Sequence, residues 1–219
     1  MDFTYKTRQL YQDELRQLKT LRTKQDKKNE TKIKLHHFLV AGLLGIAFTY
    51  LATLTKAGFL AFLFGTLAVF AYGFIVFMPY EMYKLRKKQK AVSRQLSSFI
   101  EKGTVDTCFI KATKIAVARE YEDEGDLFII EYDTEKVLYL WDYDYNLKKK
   151  FPCLDFEIYE EKFFKLFGRQ VYPKSELITP ITIDKQAKWN YMKKVGAPEH
   201  LSKENINFDK LVADVNNCA

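Results

Sequence analysis

Phe38-Leu39-Val40-Ala41-Gly42-Leu43-Leu44-Gly45-Ile46-Ala47-Phe48 begins an apolar run that continues to Thr55, and a second run extends from Gly58 to Met78. Neither run holds a charged residue, and the short connector between them carries Lys56 alone. A helix needs ~20 mostly apolar residues, rising 1.5 Å each, to cross a bilayer. Both runs meet that length, so residues 36–79 read as a transmembrane hairpin with spans at 38–55 and 58–78.

The flanks give the hairpin a direction. Residues 1–35 carry 10 Lys and Arg against 5 acids, and residues 80–103 carry 7 against 2. Basic residues beside a span favour the cytoplasmic side. The expectation is therefore an inner (plasma) membrane protein of bacterial type, crossing twice, with both flanks cytoplasmic. Some 35 polar residues ahead of the first run argue against a cleavable signal peptide. Strong flank charge also explains why mean hydropathy is only −0.27 despite the hairpin. Cys108, Cys153 and Cys218 form no CxxC and leave an odd thiol, which speaks against a disulfide framework.

Small residues recur every four positions on the spans: Ala41, Gly45, Thr49 and Thr53 on the first, Ala57, Ala61 and Gly65 on the second. Such stripes let helix backbones approach closely, within one hairpin or between copies, so a homo-oligomer is a possible assembly. The absence of ionisable residues inside the runs argues against a transporter or channel. Beyond Pro79, the pair Tyr80 and Tyr83 suits an aromatic belt, and Lys84, Arg86, Lys87, Lys88 and Lys90 suit anionic lipid headgroups. His36 and His37 read as an interfacial pair rather than a metal site.

Outside the hairpin the chain divides into four further segments. Residues 1–35 form a basic helix from about residue 4, with a stripe at Tyr11, Leu15 and Leu18. It is either a solvated helix resting one face on something, a short coiled coil, or a helix lying on lipid. Residues 80–103 form a basic juxtamembrane helix whose Val92, Leu96, Phe99 and Ile100 could meet that stripe. Residues 104–183 carry 11 Lys and Arg against 16 acids and turn to aromatic-rich, period-two runs. Strands are expected near 106–119, 127–133, 136–141, 155–159, 162–172 and 179–183, with turns at 133–136 and at Glu161-Lys162. The fold class that follows is a membrane α-helical hairpin plus a small mainly-β cytoplasmic domain, an antiparallel barrel or roll of SH3-like size. Residues 184–219 form a partly helical tail, broken by Gly196-Ala197-Pro198.

Two features of the β segment could carry an interaction. The acidic run from Glu120 to Asp126, with Glu122, Asp123 and Glu124 at its centre, lacks the ligand alternation of a calcium loop. It is a solvated loop or a docking surface for a basic partner. Tyr139, Trp141, Tyr143 and Tyr145 alternate along an extended stretch. The first two belong in a core and the last two in an exposed loop, where they could meet a partner or ligand. Acids beside them speak against nucleic-acid binding. No Cys, His and orienting group fall in a catalytic pattern, and no metal or cofactor motif is present, so the sequence points away from an enzyme.

The stretch Glu122-Asp123-Glu124-Gly125, Phe128-Ile129-Ile130-Glu131, Val137-Leu138-Tyr139-Leu140 and Phe151-Pro152-Cys153-Leu154-Asp155-Phe156-Glu157-Ile158 resembles a pattern of uncharacterised bacterial two-span membrane proteins with a small cytoplasmic β domain. That resemblance implies a recurring β domain and no particular activity. The function expected is a membrane-anchored, non-enzymatic interaction or scaffold protein whose β domain binds a protein partner. The alternative is a ligand-gated membrane effector, sensing a small molecule such as a nucleotide, whose hairpins oligomerise to perturb the membrane.

Overall fold

The structure, a computed structural model, describes residues 3–30, 35–55, 58–147 and 150–218. It divides into two compact units: residues 12–102, and the N-terminal residues through Tyr11 together with Gly103 onward.

The unit of residues 12–102 is helical: α1 (Gln12–Glu30), α2 (Leu35–Leu54) and α3 (Phe59–Lys102). α2 and α3 are long and apolar enough to cross a membrane, and only 6% of the apolar window of each is buried. Their contacts run in opposite chain directions, from Phe38–Phe74 through Gly45–Tyr72 to Phe48–Phe64, so the pair is antiparallel. A Cβ at Gly45 would stand 2.8 Å from the Tyr72 ring, and Thr49 Oγ1 lies 3.3 Å from Tyr72 Oη. Gly45, which is buried, and Thr49, which is exposed, both lie against Tyr72, and Ala41 and Ala61 are half-buried. At Gly65, however, an added Cβ meets nothing within 4 Å, and the buried small residue of α3 is Ala68. Ala57 lies outside the described residues.

The basic juxtamembrane segment is not a separate helix. It continues the second apolar run without a break through Pro79, giving α3 44 residues and a length of about 66 Å. Its lower half pairs with α1: Leu18 and Leu96 are buried, and Ser93 Oγ donates to Asp26 Oδ1 at 2.8 Å. Lys84, Arg86, Lys87, Lys88 and Lys90 all stay exposed on α3.

The other unit holds the nine strands of the described residues. β1 (Thr4–Gln9), β2 (Thr104–Lys111), β6 (Asp155–Tyr159) and β7 (Val171–Pro173) form an antiparallel sheet in the order β1-β2-β6-β7. β3 (Lys114–Ala118), β4 (Asp126–Asp133), β5 (Lys136–Asp142), β8 (Ile181–Ile183) and β9 (Lys203–Glu204) form a second, in the order β8-β3-β4-β5-β9. β8 runs parallel to β3, so this sheet is mixed. Facing sides of the sheets share a core that includes Cys108, Ile110, Phe156 and Ile158 from the first and Phe128, Ile130, Leu138 and Leu140 from the second. The far side of the second sheet, with Ile129, Tyr139 and Trp141, is covered by α5 (Lys185–Val195) and α6 (Phe208–Asn216). Each large apolar side chain so buried contributes roughly 1.5–3 kcal/mol. The layers are sheet, sheet, helices, rather than a closed SH3-like barrel.

Three local expectations are corrected. Residues 4–9 are a strand and not the start of the basic helix. Thr4, Tyr5 and Thr7 favour extended backbone, and the register Thr4↔Phe109 to Gln9↔Thr104 satisfies their backbone groups on one side. The expected 106–119 strand is two strands in different sheets, divided at Ala112-Thr113. The expected 162–172 strand is mostly α4 (Glu161–Phe167). Phe163 and Phe167, four residues apart, bury one helical face, and Gly168 closes the helix at φ +70°, a left-handed conformation that glycine adopts without a steric penalty.

Candidate functional site

The two loops singled out in the β segment meet at one end of the β4–β5 hairpin. Asp126 opens β4 and Asp142 closes β5, directly opposite each other in register. Both are buried, and each anchors one loop. Asp126 accepts from Arg119 Nη1 at 2.6 Å and from the Glu120 amide at 3.0 Å. Asp142 accepts from the amides of Asn146 and Leu147 at 2.9 and 3.0 Å. Gly125, at φ +85°, lets the loops touch: a Cβ there would lie 3.1 Å from the Asp142 carbonyl oxygen.

On this frame Glu122, Asp123, Tyr143, Asp144 and Tyr145 are exposed. Tyr143 is 57% exposed and stacks on buried Trp141, with ring centroids 5.7 Å apart and planes within 8°. Tyr145 donates its hydroxyl to Glu120. That bond, with smaller contributions from burial and from Glu120, Asp123 and Asp126, pushes the phenol up to about 12.

Glu124 behaves differently from its neighbours. It turns inward, accepts from the amides of Tyr121 and Glu122 at 3.0 and 2.6 Å, and pairs with Lys188 Nζ at 2.7 Å. Burial alone would raise its carboxyl, but Lys188 and the backbone amides outweigh burial and hold it at about 2. Lys188 is 1% exposed, donates also to the Gly125 carbonyl at 3.3 Å, and lies 5.6 Å from the Trp141 ring centroid. Glu124 thus ties the acidic loop to α5, and the outward carboxylates are those of Glu122, Asp123 and Asp144.

Trp141 is held from the other side by the 196–202 segment. Its indole Nε1 donates to Pro198 O at 2.9 Å, and its backbone N–H donates to His200 Nδ1 at 3.1 Å. His200 Nε2 lies 2.5 Å from the Gln170 amide, and burial lowers the imidazole below its usual range. Lys188, Gln170 and His200 carry no local motif. The one sequence trace of Lys188 is a lysine within the apolar face of α5, beside Ala187 and one turn before Tyr191 and Met192.

Tyr139 and Trp141 are buried as expected, and a cavity of about 240 Å³ adjoins Tyr139, lined also by Tyr191, Met192, Leu211 and Val215. Tyr139 donates its hydroxyl to Glu204 at 2.5 Å beside it, and burial, reinforced by Glu204, pushes the phenol far up. Among the described residues no group of His, Cys, Asp and Glu is arranged to hold a metal ion. The tip chemistry is that of a surface: carboxylates and tyrosine faces, which together accept guanidinium and ammonium groups by ion pairing and cation–π contact.

No protein-family model matches the chain, and no curated protein or solved structure matches it.

Proposed function

We propose that this protein is a membrane-anchored interaction module whose β unit docks a basic segment of a partner protein through the Glu122/Asp123/Tyr143/Asp144/Tyr145 tip. The observation that carries the reading is convergence. Two loops about 20 residues apart in sequence are fixed against each other by Asp126 and Asp142 into one acidic, aromatic surface. Exposed tyrosines backed by buried packing are effective contact residues, because little side-chain freedom is lost on binding.

The anchor is the α2–α3 hairpin, placed in a bacterial inner membrane. A core helix of a soluble protein of this length would be mostly buried, whereas these helices present apolar side chains outward along their length. Exposed Lys84, Arg86, Lys87, Lys88 and Lys90 then meet anionic headgroups. Connectivity supports placing both flanks on one side, in the cytoplasm. β1 precedes the hairpin and β2 follows it, yet the two strands pair, with Leu10 N–H bonded to the Gly103 carbonyl at 2.9 Å. Two crossings return the chain to the side it left.

The test is photo-crosslinking from position 143 in native membranes. The reading requires a discrete adduct with another protein that disappears with Glu122→Lys/Asp123→Lys. Labelling restricted to lipid or to other copies of the chain would overturn it. A second reading, a ligand-gated effector, is supported by the 240 Å³ cavity against Tyr139. Membrane potential that stays unchanged on induced expression, with and without candidate nucleotides, would remove it.

A further inference from the structure

The cavity of about 240 Å³ lies between the second sheet and the helices that cover it, with Leu127 and Ile129 of β4 on one side and Met192, Leu211 and Val215 of α5 and α6 on the other. An apolar cavity of about 150 Å³ accepts benzene, so this one has room for a ring with a short side arm. It reaches the surface at the end of α5, where Val195, Gly196 and Ala197 are exposed.

Two charged residues line it, and only one of them is balanced. Lys188 is neutralised by Glu124 at 2.7 Å. Glu204 is placed by register: it lies opposite Val137, a residue of the core under the helices. Directly paired residues project to the same face, so Glu204 turns toward this cavity and the adjacent Lys203 toward the other face of the sheet. Glu204 Oε2 accepts the Tyr139 hydroxyl, and among the described residues no cation forms an ion pair with the carboxylate. The lysines in the last turn of α5 are engaged elsewhere, Lys193 over the Trp189 ring and Lys194 on Cys218 Sγ. Tyr191 lines the cavity as well, close enough to Glu204 for the carboxylate to add to the rise that burial imposes on its phenol. A carboxylate beside two tyrosine rings at an apolar cavity is matched by one positive charge on an apolar body.

We infer that this cavity binds a small apolar amine in its ammonium form, the body against Leu127, Ile129 and Leu211 and the head on Glu204 beside Tyr139 and Tyr191. An anionic head would meet Glu204 with no free cation in the lining to offset it. The inference rests on the cavity of the ligand-gated reading and names its ligand class. Binding tests the ligand and membrane potential tests the gating, so the two fail separately. None of the five docking-tip residues takes part.

The test is calorimetric titration of the full chain in phosphatidylcholine nanodiscs at pH 7, with empty nanodiscs subtracted, using phenethylamine and its neutral counterpart 2-phenylethanol. The amine binds saturably, and the alcohol binds about tenfold more weakly or worse, the loss of one charge-assisted contact. Glu204→Gln, at an exposed position on a two-residue strand, erases that preference. Met192→Trp, at a half-buried position on α5, fills the cavity and abolishes the heat of both ligands. Equal binding of amine and alcohol to the unaltered protein, or no heat beyond empty nanodiscs, overturns the proposal whatever the variants do. Unchanged preference in Glu204→Gln overturns it as well, and so does full amine binding by a folded Met192→Trp protein.

Discussion

Arg8 and Glu157 stand 149 residues apart in the chain and meet through Arg8 Nε and Glu157 Oε2 at 2.6 Å. The Glu157 side chain is fully buried, and Lys6 and Lys174 approach its other oxygen at 3.5 and 3.6 Å. Arg8 also lies 3.9 Å from the centroid of the Tyr11 ring. The chain leaves this unit after Tyr11 and returns at Gly103, so the pair fastens the departing strand to the sheet built on return.

Glu157→Gln removes the charge that three cations surround, and removing one partner of a buried pair costs about 3 kcal/mol or more. Thermal unfolding of the full chain in detergent should shift down by several degrees, with β1 exchanging its amides first. Arg8→Met together with Glu157→Leu should recover part of the loss, because no uncompensated charge is left between them. A Glu157→Gln protein as stable as the parent would show that the pair contributes nothing net.

In the helical unit, Gly45 and Gly65 make opposite predictions although both belong to small-residue stripes. A Leu at Gly45 must displace the Tyr72 ring, which a Cβ alone would already approach to 2.8 Å. Overpacking of that kind costs about 1–3 kcal/mol. Gly65→Ala meets open space and should be near neutral. Helix unfolding followed by circular dichroism in detergent separates the two. Tyr72→Phe, which removes only the contact to Thr49, should cost roughly 0.6 kcal/mol.

Why one stripe position was informative and the other was not illustrates what sequence can carry. Periodicity marks which residues share a face, but close approach depends on what the partner places opposite, and Tyr72 lies outside the stripe. β1 escaped for a related reason. Thr4 to Gln9 has no buried alternation to read, because the strand is defined by a partner beginning at Thr104. α4 was legible in principle: Phe163 and Phe167 at helical spacing before Gly168 outweigh the β propensity of adjacent phenylalanines. At the tip, exposure of Glu122 and Tyr143 followed from local composition. Their adjacency did not, since it comes from the Asp126↔Asp142 register, and nothing nearby distinguished Glu124 from its exposed neighbours.

Glu124 and Lys188 should respond unequally to substitution. Glu124→Gln leaves an ammonium that is 1% exposed without its carboxylate, at a cost of about 3 kcal/mol. Lys188→Met fills the same volume with an apolar chain and leaves Glu124 with its two backbone donors, so it should cost less. The pair also sets an acid limb. The Glu124 carboxyl falls from 4.5 to about 2 on folding, so its contribution is complete above pH 4.5 and is lost as pH falls toward 2. Stability measured from pH 6 to pH 3 should decline less steeply in Glu124→Gln than in the parent. Parallel curves would mean that other carboxylates dominate the acid limb.

His200 gives a second, higher pH dependence, and its proton inventory fixes the sign. Nδ1 accepts the Trp141 backbone N–H at 3.1 Å, so it carries no proton, and in the neutral ring the proton sits on Nε2. Protonating Nδ1 sets two N–H groups against each other. Burial lowers the imidazole below its ordinary value of 6.5, so the unfolded chain takes up this proton at a higher pH than the folded one does. Stability from His200 is therefore complete above pH 6.5 and is lost as pH falls through the folded value. Exchange of the Trp141 amide, corrected for its intrinsic pH dependence, should accelerate below pH 6.5 in the parent. In His200→Asn, whose side chain does not titrate there, the correction alone should account for the profile. If the Trp141 amide stays equally protected from pH 7.5 to pH 5, the imidazole does not hold β5 to the 196–202 segment by this bond.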